Sequence, residues 1–248
     1  MPETIIFKNA PITEAILDIR ATLPKDIKLE NLLNVYDAVK LSYPNKRERI
    51  AFQGQFQFRP NILPELREVK GGPDGYLFST ADGKQTIQAR LDGFTFNRFK
   101  PYDRWETFRE EGRKLWTIYA SVSNPKEVTR VALRYINRIE IPLPIRDFKD
   151  YIVTIPEIAS GIPQGLANFL MRLVIPVDEL QAVAIITESM EPPVANNVVA
   201  VILDIDVFRQ GSFDIHSQAI WDIFENLHDL KNNIFFRSIT EKAKELFD

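Results

Sequence analysis

The sequence predicts an α+β protein in which two similar antiparallel-sheet units, each closed by a long helix, pack as one globular chain. Several segments alternate apolar and polar residues, which is the period of a half-buried strand. Two Asp-Gly pairs, at 82–83 and 92–93, separate three such segments, and this dipeptide favours tight hairpin turns. Two longer segments, residues 103–119 and 217–247, place apolar residues at helical spacing and therefore predict the closing helices.

The first unit is predicted to begin with a strand over residues 12–20, since Ala15, Leu17 and Ile19 alternate with more polar positions. A helix is expected to start at Asp26, because aspartate favours helix starts, and to run over residues 26–43. Further on, the sequence predicts a strand with one aromatic and one amide face at residues 49–59, followed by a Gly- and Pro-rich loop at residues 71–75. Three hairpin strands are then predicted at residues 76–80, 86–91 and 94–99.

The second unit is predicted to repeat this plan. It begins with a long strand at residues 128–143 and continues with one or two short helices within residues 146–170. Three more strands are predicted at residues 171–177, 182–189 and 197–209. The final helical segment is expected to break near Asn232 and Asn233. Both closing helices start with a Trp-acidic-x-Phe pattern, at Trp105 and Trp221.

This recurrence predicts an internal duplication, weak at the level of sequence, with units at residues 1–125 and 126–248. The cleft between two such units would be the natural ligand site.

Composition excludes several classes of protein. The chain has no cysteine, which rules out disulfides, thiolate zinc sites and cysteine nucleophiles and favours a cytoplasmic location. Charge is balanced, with 31 Lys and Arg against 34 Asp and Glu, so no global attraction to nucleic acid is expected. Neither a signal peptide nor an apolar run long enough to span a membrane is present, so no membrane association is expected.

No local motif indicates catalysis, a metal or a cofactor. The two histidines, His216 and His228, lack zinc-binding spacing, and His228 is expected to face solvent or cap a helix end. There is no Gly-x-Ser-x-Gly elbow and no phosphate-binding loop, so neither hydrolase nor nucleotide chemistry is indicated. Glu14 and Asp18 share one strand face but lie roughly 13 Å apart, too far to share a proton.

Five residues form the candidate ligand site: Glu14, Arg134, Tyr135, Asn137 and Arg138. Alternation along residues 131–141 places Tyr135 and Asn137 in an apolar row and both arginines on the other face. Asn137 either ties down a neighbouring turn or bulge or points into a pocket with Tyr135, and the first alternative is favoured because buried amides are usually internally satisfied. The two arginines either clamp an anion or pair across strands with Glu14 or Asp18, and cross-strand pairing is favoured.

Three sequence segments carry a resemblance to a known family. They are Ala10-Pro11-Ile12-Thr13-Glu14-Ala15 near the start, Leu133-Arg134-Tyr135-Ile136-Asn137-Arg138-Ile139 in the centre, and Leu227-His228 with Phe235-Phe236 and Ile239-Thr240 near the end. On these segments the chain resembles a sporadically distributed, functionally uncharacterised prokaryotic protein family of about this length. The resemblance implies a stand-alone protein and supplies no catalytic residues.

The sequence therefore favours a non-catalytic binding or regulatory protein that recognises a protein partner or a small ligand. By analogy, the sporadic distribution suggests an immunity or antitoxin-like role. The alternative is an enzyme with a pocket between the two units, formed by distant residues that leave no local motif. A third reading, nucleic-acid binding, requires one basic surface that joins Arg47, Arg49, Arg59, Arg98 and Lys100. The exposed edge strands of such a sheet would also allow a homodimer.

Overall fold

The computed structural model describes residues 7–59, 62–191 and 197–248, and for residues 51–70 it describes only the backbone of those within these ranges. The strands are β1 (Ile12–Thr22), β2 (Asn45–Arg59), β3 (Ile62–Ser79), β4 (Gln85–Arg90), β5 (Gly93–Phe99), β6 (Glu127–Pro142), β7 (Leu170–Val177), β8 (Ala182–Met190) and β9 (Val198–Phe213). The α-helices are α1 (Leu33–Val39), α2 (Trp105–Ser123), α3 (Ala219–Ser238) and α4 (Glu241–Lys244). Short 3₁₀ turns lie at Leu29–Leu32, Phe148–Asp150, Asp178–Leu180 and Glu245–Phe247.

The strands form one antiparallel sheet in the order β2-β3-β4-β5-β1-β6-β9-β8-β7. Near its centre β1 pairs with β6, and Leu17 lies opposite Leu133. The prediction of an α+β chain with antiparallel strands is confirmed, but the sheet is continuous rather than two separate sheets. The predicted boundary between residues 125 and 126 falls between α2 and β6, and the division into two units stays a prediction.

Both long helices pack on one face of the sheet, which we call the helix face. Phe108 of α2 stacks on Phe96 of β5 with ring centroids 5.1 Å apart. At Gly112 an added Cβ would lie 2.9 Å from Leu17 Cδ1, so glycine allows α2 to approach the sheet closely. On the other half of the sheet, α3 covers β6 and β9. The opposite face, which carries Asp18 and Arg134, is called the open face.

The hairpin turns predicted at the two Asp-Gly pairs are confirmed. Gly83 and Gly93 have backbone φ angles of 70° and 146°, which side-chain-bearing residues rarely adopt. A Cβ at Gly93 would also lie 2.2 Å from the carbonyl oxygen of Ile19 in β1. Glycine is therefore required there both by the turn and by the close approach of the neighbouring strand.

The predicted Gly- and Pro-rich loop at 71–75 is wrong, because these residues continue β3. Pro73 lies opposite Ile50 and Gly75 opposite Arg49, next to a register shift in the β2–β3 pair. On its other side, β3 pairs with β4 only from Gly75 onward. Pro73 therefore has no ladder partner on that side, and such positions tolerate a residue without an N–H group.

Two helix predictions need correction. The helix expected over 26–43 is a 3₁₀ turn that starts at Leu29 and continues as the short α1. There the side chain of Asn31 accepts a hydrogen bond from the Lys28 N–H, which fixes the start later than Asp26. The break expected near Asn232 occurs instead at Ile239, which adopts an extended backbone and forms a bridge with Ile152.

The segment expected to hold one or two short helices, residues 146–170, contains only the 3₁₀ turn at Phe148–Asp150. Its proline and glycine residues explain the shortage of helix, because proline lacks the N–H group that a helix needs and glycine loses the most freedom on ordering. Among the described helices, none is both long enough and apolar enough to cross a membrane.

Candidate functional site

A cleft of about 470 Å³ lies on the open face over the central strands, and we call it the open-face cleft. Its lining spans β1, β2, β4, β5, β6 and β9, so it bridges the two predicted units. The lining residues are Ile16, Asp18, Arg20, Arg49, Gln88, Arg90, Thr95, Asn97, Arg130, Ala132, Arg134 and Asp206. Five arginines thus face two aspartates, and guanidinium groups dominate the lining.

The floor of the cleft is a buried ion-pair network around Asp18. The Asp18 carboxylate accepts hydrogen bonds from Arg90 Nη2 at 2.8 Å, Arg130 Nη1 at 3.0 Å and Arg20 Nε at 3.2 Å. The Thr95 hydroxyl donates a fourth bond at 2.8 Å. Arg90 is only 3% exposed and Asp18 only 8%. We call these five residues the Asp18 cluster.

Strand pairing explains why the Asp18 cluster forms. Asp18 lies opposite Thr95 in β5 and opposite Ala132 in β6, and alternation directs all three to the open face. Burial alone would raise the pKa of Asp18, but Arg90 and Arg20 lower it below its usual range. Asp18 is therefore held ionised among three guanidinium groups.

The β6 and β9 side of the cleft carries a second set of charges. Arg134 donates two hydrogen bonds to Asp204, from Nε at 2.8 Å and from Nη2 at 2.5 Å. Arg130 reaches Asp206 only at 3.3 to 3.4 Å. Burial raises the pKa of Asp206, and Arg130 and Arg134 offset that effect only in part. Asp206 is thus the carboxylate in the cleft that protonates most readily.

The structure places the five predicted site residues on both faces of the sheet. Glu14, Arg134 and Arg138 lie on the open face, whereas Tyr135 and Asn137 are buried on the helix face. Arg134 alone lines the cleft. Glu14 accepts a hydrogen bond from Asn97, a lining residue, at 2.6 Å. The predicted set is therefore not one constellation, although part of it borders the cleft.

Arg134 and Arg138 pair with carboxylates as expected, but with other partners than Glu14 or Asp18. Arg134 pairs with Asp204 on β9. Arg138 donates to Glu191 at 2.8 Å and also pairs with Glu140. Arg134 thus pairs towards β9 rather than towards β1, and Arg138 pairs within β6 and with a residue that follows β8.

Asn137 and Tyr135 take part in internal hydrogen bonds under α3. Asn137 donates to the Leu203 carbonyl at 3.0 Å, which fits the structural alternative for this amide. The Tyr135 hydroxyl shares a hydrogen bond of 2.7 Å with that of Tyr102, and Lys231 Nζ lies 3.8 Å from the centre of the Tyr135 ring. This buried polar group belongs to the contact between helix and sheet.

His228 neither faces solvent nor caps a helix end. Its ring stacks on Trp105 with ring centroids 4.5 Å apart. Burial lowers the pKa of His228 to about 3, and the nearby positive charges of Lys231 and Arg109 add to this effect. The imidazole is therefore neutral at physiological pH. Among the side chains that the structure describes, which leave out those of residues 51–70, no group of three or more His, Asp or Glu could hold a metal ion.

Glu188 on β8 is a buried carboxyl group on the helix face, where it lies opposite Leu203 and Met171. It is 1% exposed, and its Oε2 has no hydrogen-bond partner among the described residues. Burial raises its pKa from 4.5 to about 7. Because the folded protein binds this proton more tightly than the unfolded chain, stability is lost as pH rises from 4.5 through 7.

Replacing Glu188 by glutamine is expected to raise the free energy of unfolding by about 3 kcal/mol at pH 8, because a neutral amide needs no proton to stay buried. At pH 4 the two proteins should be almost equally stable. Urea denaturation at both pH values measures the difference, and Glu179→Gln, at an exposed position, is the matched control. Equal stability of wild type and Glu188→Gln at pH 8 would contradict the buried neutral carboxyl.

Several residues of the cleft were not found from the sequence, among them Arg20, Arg90, Arg130 and Asp206. A local signal existed, since charged residues alternate with apolar ones along β6 and β9, at 130, 134 and 138 and at 204 and 206. That pattern indicates one charged strand face. It does not say that these strands are neighbours of β1.

Two of the basic residues proposed for nucleic-acid binding, Arg49 and Arg98, lie on opposite faces of the sheet, and the side chain of Arg59 lies outside the described part of the chain. Arg49 lines the open-face cleft. Arg98 lies on the helix face, in a second cleft with Glu110, Glu111 and Lys114. The two arginines therefore do not contribute to one surface.

Comparison with models of protein families finds none that matches this chain. Comparison with curated proteins finds no similar sequence either. The functional conclusion therefore rests on the geometry of the open-face cleft.

Proposed function

We propose that the protein is a non-catalytic binding protein that holds a small polar ligand in the open-face cleft. The observation that carries this proposal is the buried polar floor, since Arg90, Thr95, Asn97 and Asp18 are each less than a tenth exposed. Burial of such groups costs free energy unless they are fully hydrogen-bonded, and here hydrogen bonds fix them beneath a cleft of about 470 Å³. Preorganised polar groups in a concave site are typical of ligand recognition.

The two-unit arrangement is part of this proposal, because it places the cleft between the units. The strand pairing supports it: β1 pairs with β5 and β6 with β9, and α2 and α3 follow these outer partners. The paired residues Leu17 and Leu133 are separated in the sequence by a certain number of positions. Trp105 and Trp221, which start the two long helices in the same pattern, are separated by the same number. A duplication would explain both relations.

The test is native mass spectrometry of the protein purified gently from extract of its own cells. We expect wild type to carry a small molecule. Ala132→Leu, which adds bulk between Arg130 and Arg134, should lose it. Val183→Leu enlarges a side chain more modestly on the open face of β8, outside the cleft lining, and should retain it. A wild-type protein without a ligand, or equal retention by Ala132→Leu, would overturn the proposal.

An enzyme with its pocket between the units is the second candidate, and Asp206 is the observation that favours it. A partly buried carboxyl group with a raised pKa beside a cleft is suited to general acid or base catalysis. Conversion of the captured molecule by wild type but not by Asp206→Asn would establish this candidate over simple binding.

Recognition of a protein partner, homodimer formation, a cytoplasmic location and the similarity to the prokaryotic family stay predictions. For self-association, the relevant surface is the outer strand β7, where Leu170 and Val174 are 76% and 55% exposed. Exposed outer strands of a sheet can pair with another chain. Arg172 and Pro176 on the same strand oppose such pairing, because charges and prolines commonly protect strand edges.

A further inference from the structure

The Asp18 cluster contains more guanidinium groups than carboxylates. Three arginines, Arg20, Arg90 and Arg130, share the Asp18 carboxylate. Arg20 and Arg90 also share Asp92. Arg130 also pairs with Asp206, so three carboxylates serve the three guanidinium groups.

Of the three arginines, Arg130 has the weakest pairing of its charge with carboxylates. Beyond its share of Asp18, its contact is with Asp206 at 3.3 to 3.4 Å, longer than a good charged hydrogen bond. The raised pKa of Asp206 indicates that Arg130 only partly stabilises the carboxylate form. The second carboxylate contact of Arg130 is longer than those of Arg20 and Arg90 with Asp92.

Hydrogen-bond donors are also left over at this position. Among the described residues, Nε of Arg130, Nη1 of Arg134 and Nη2 of Arg20 donate to no acceptor. Arg130 and Arg134 flank the small side chain of Ala132 on the same strand face. The cleft therefore has both room for a ligand and unused N–H groups between Arg130 and Arg134.

The guanidinium group of Arg130 is held in place before any ligand arrives. It lies over the ring of Phe208 with its central carbon 4.4 Å from the ring centre, while Asp18 fixes Nη1. A planar donor group fixed in this way loses little freedom when it binds a carboxylate or phosphate. The carboxylates of the cleft already accept hydrogen bonds from arginines, which disfavours a cationic ligand.

We infer that the ligand of the open-face cleft carries an oxyanion, a carboxylate or a phosphate, that binds to Arg130 with support from Arg20 and Arg134. This inference rests on the proposed function and adds the chemical class of the ligand. Arg130 provides the charge and a fixed donor, and its two neighbours provide the remaining N–H groups.

The test is isothermal titration of the full-length protein with inorganic phosphate and, separately, with succinate at low ionic strength. We expect at least one of them to bind wild type, and Arg130→Gln to weaken that binding at least about tenfold. Arg138→Gln is the matched control, since Arg138 lies on the same face of β6 and pairs with carboxylates but does not line the cleft. Its affinity should stay within about twofold of wild type.

A second variant guards against a folding effect. Arg130→Lys keeps the charge but not the fork of donors, and it should bind more weakly than wild type and more tightly than Arg130→Gln. Tighter binding of phosphate than of succinate would assign a phosphorylated ligand, and the reverse a carboxylic acid. Failure of both anions to bind wild type, or equal binding by Arg130→Gln, would overturn the inference. Retention of a natural small molecule in mass spectrometry would then still support the proposed function.

Discussion

Replacing Lys231 by methionine is expected to stabilise the native state by about 4 kcal/mol at pH 7, an unusually large gain for one substitution. Lys231 lies on α3, is 6% exposed and makes its hydrogen bond to Asn232 Oδ1 at 2.6 Å. Burial lowers its pKa from 10.5 to about 7. At pH 7 the unfolded chain holds this proton almost completely, whereas the folded protein holds it in only about half of the molecules. Methionine removes the cost of this buried amine while filling similar space.

The sign of the pH dependence follows from the direction of the shift. Between pH 7 and 10.5 the unfolded chain holds the Lys231 proton and the folded protein does not, so the stability of wild type should rise with pH. The advantage of Lys231→Met should therefore shrink steadily and disappear near pH 10. Neighbouring groups do not reverse this trend, since His228 is neutral and the buried Tyr135 has its pKa raised well above 10.

Urea denaturation at pH 7, 8.5 and 10 measures this effect. Lys231→Arg is the opposite control, because arginine cannot lose its proton and should destabilise the protein at every pH tested. A loss of stability in Lys231→Met at pH 7 would mean that the amine is charged and favourably bound by Tyr135 and Asn232.

Replacing Asp18 by alanine is expected to destabilise the protein by about 3 to 5 kcal/mol, because it leaves the buried Arg90 without its carboxylate. Arg20 and Arg130 would then repel Arg90 as well. The pKa of Asp18 is lowered, so its contribution is present above its unfolded value near 3.8 and is lost as pH falls through the lower folded value.

Chemical denaturation of Asp18→Ala at neutral pH measures the loss. Asp37→Ala, which removes a carboxylate from an exposed pair with Lys40, should change stability by less than about 0.5 kcal/mol. The double variant Asp18→Ala with Arg90→Met should be more stable than Asp18→Ala alone, since no buried charge is left unpaired at that position. If the single and double variants are equally stable, the Asp18–Arg90 pair contributes little.

The sequence predicted the faces of β6 correctly because alternation along a strand is a local property. Tyr135, Asn137 and Ile139 are buried as their spacing required, and Arg134 and Arg138 lie on the other face. The turn at Gly93 was also predicted from a local property, since glycine is the residue that most readily adopts a positive backbone φ angle.

Partners of the charged residues could not be predicted in the same way. Arg134 pairs with Asp204, and Asp18 pairs with Arg90 and Arg130, across long separations in the chain. Such pairs depend on which strands are neighbours, and β1 is placed between β5 and β6 by the whole sheet rather than by any one segment. The prediction of a loop at residues 71–75 was wrong for a related reason, because pairing of β3 with β2 outweighed the local preference of these residues for a loop.

The sequence by itself determined the mixed α and β class, the positions of most strands and both long helices, and which strand residues point into the core. These properties follow from local periodicity and backbone preference. The tertiary structure alone decided that the strands form one sheet and that five arginines meet over its centre. Both require distant segments to lie side by side, and the order of strands in a sheet is set by the packing of the whole chain.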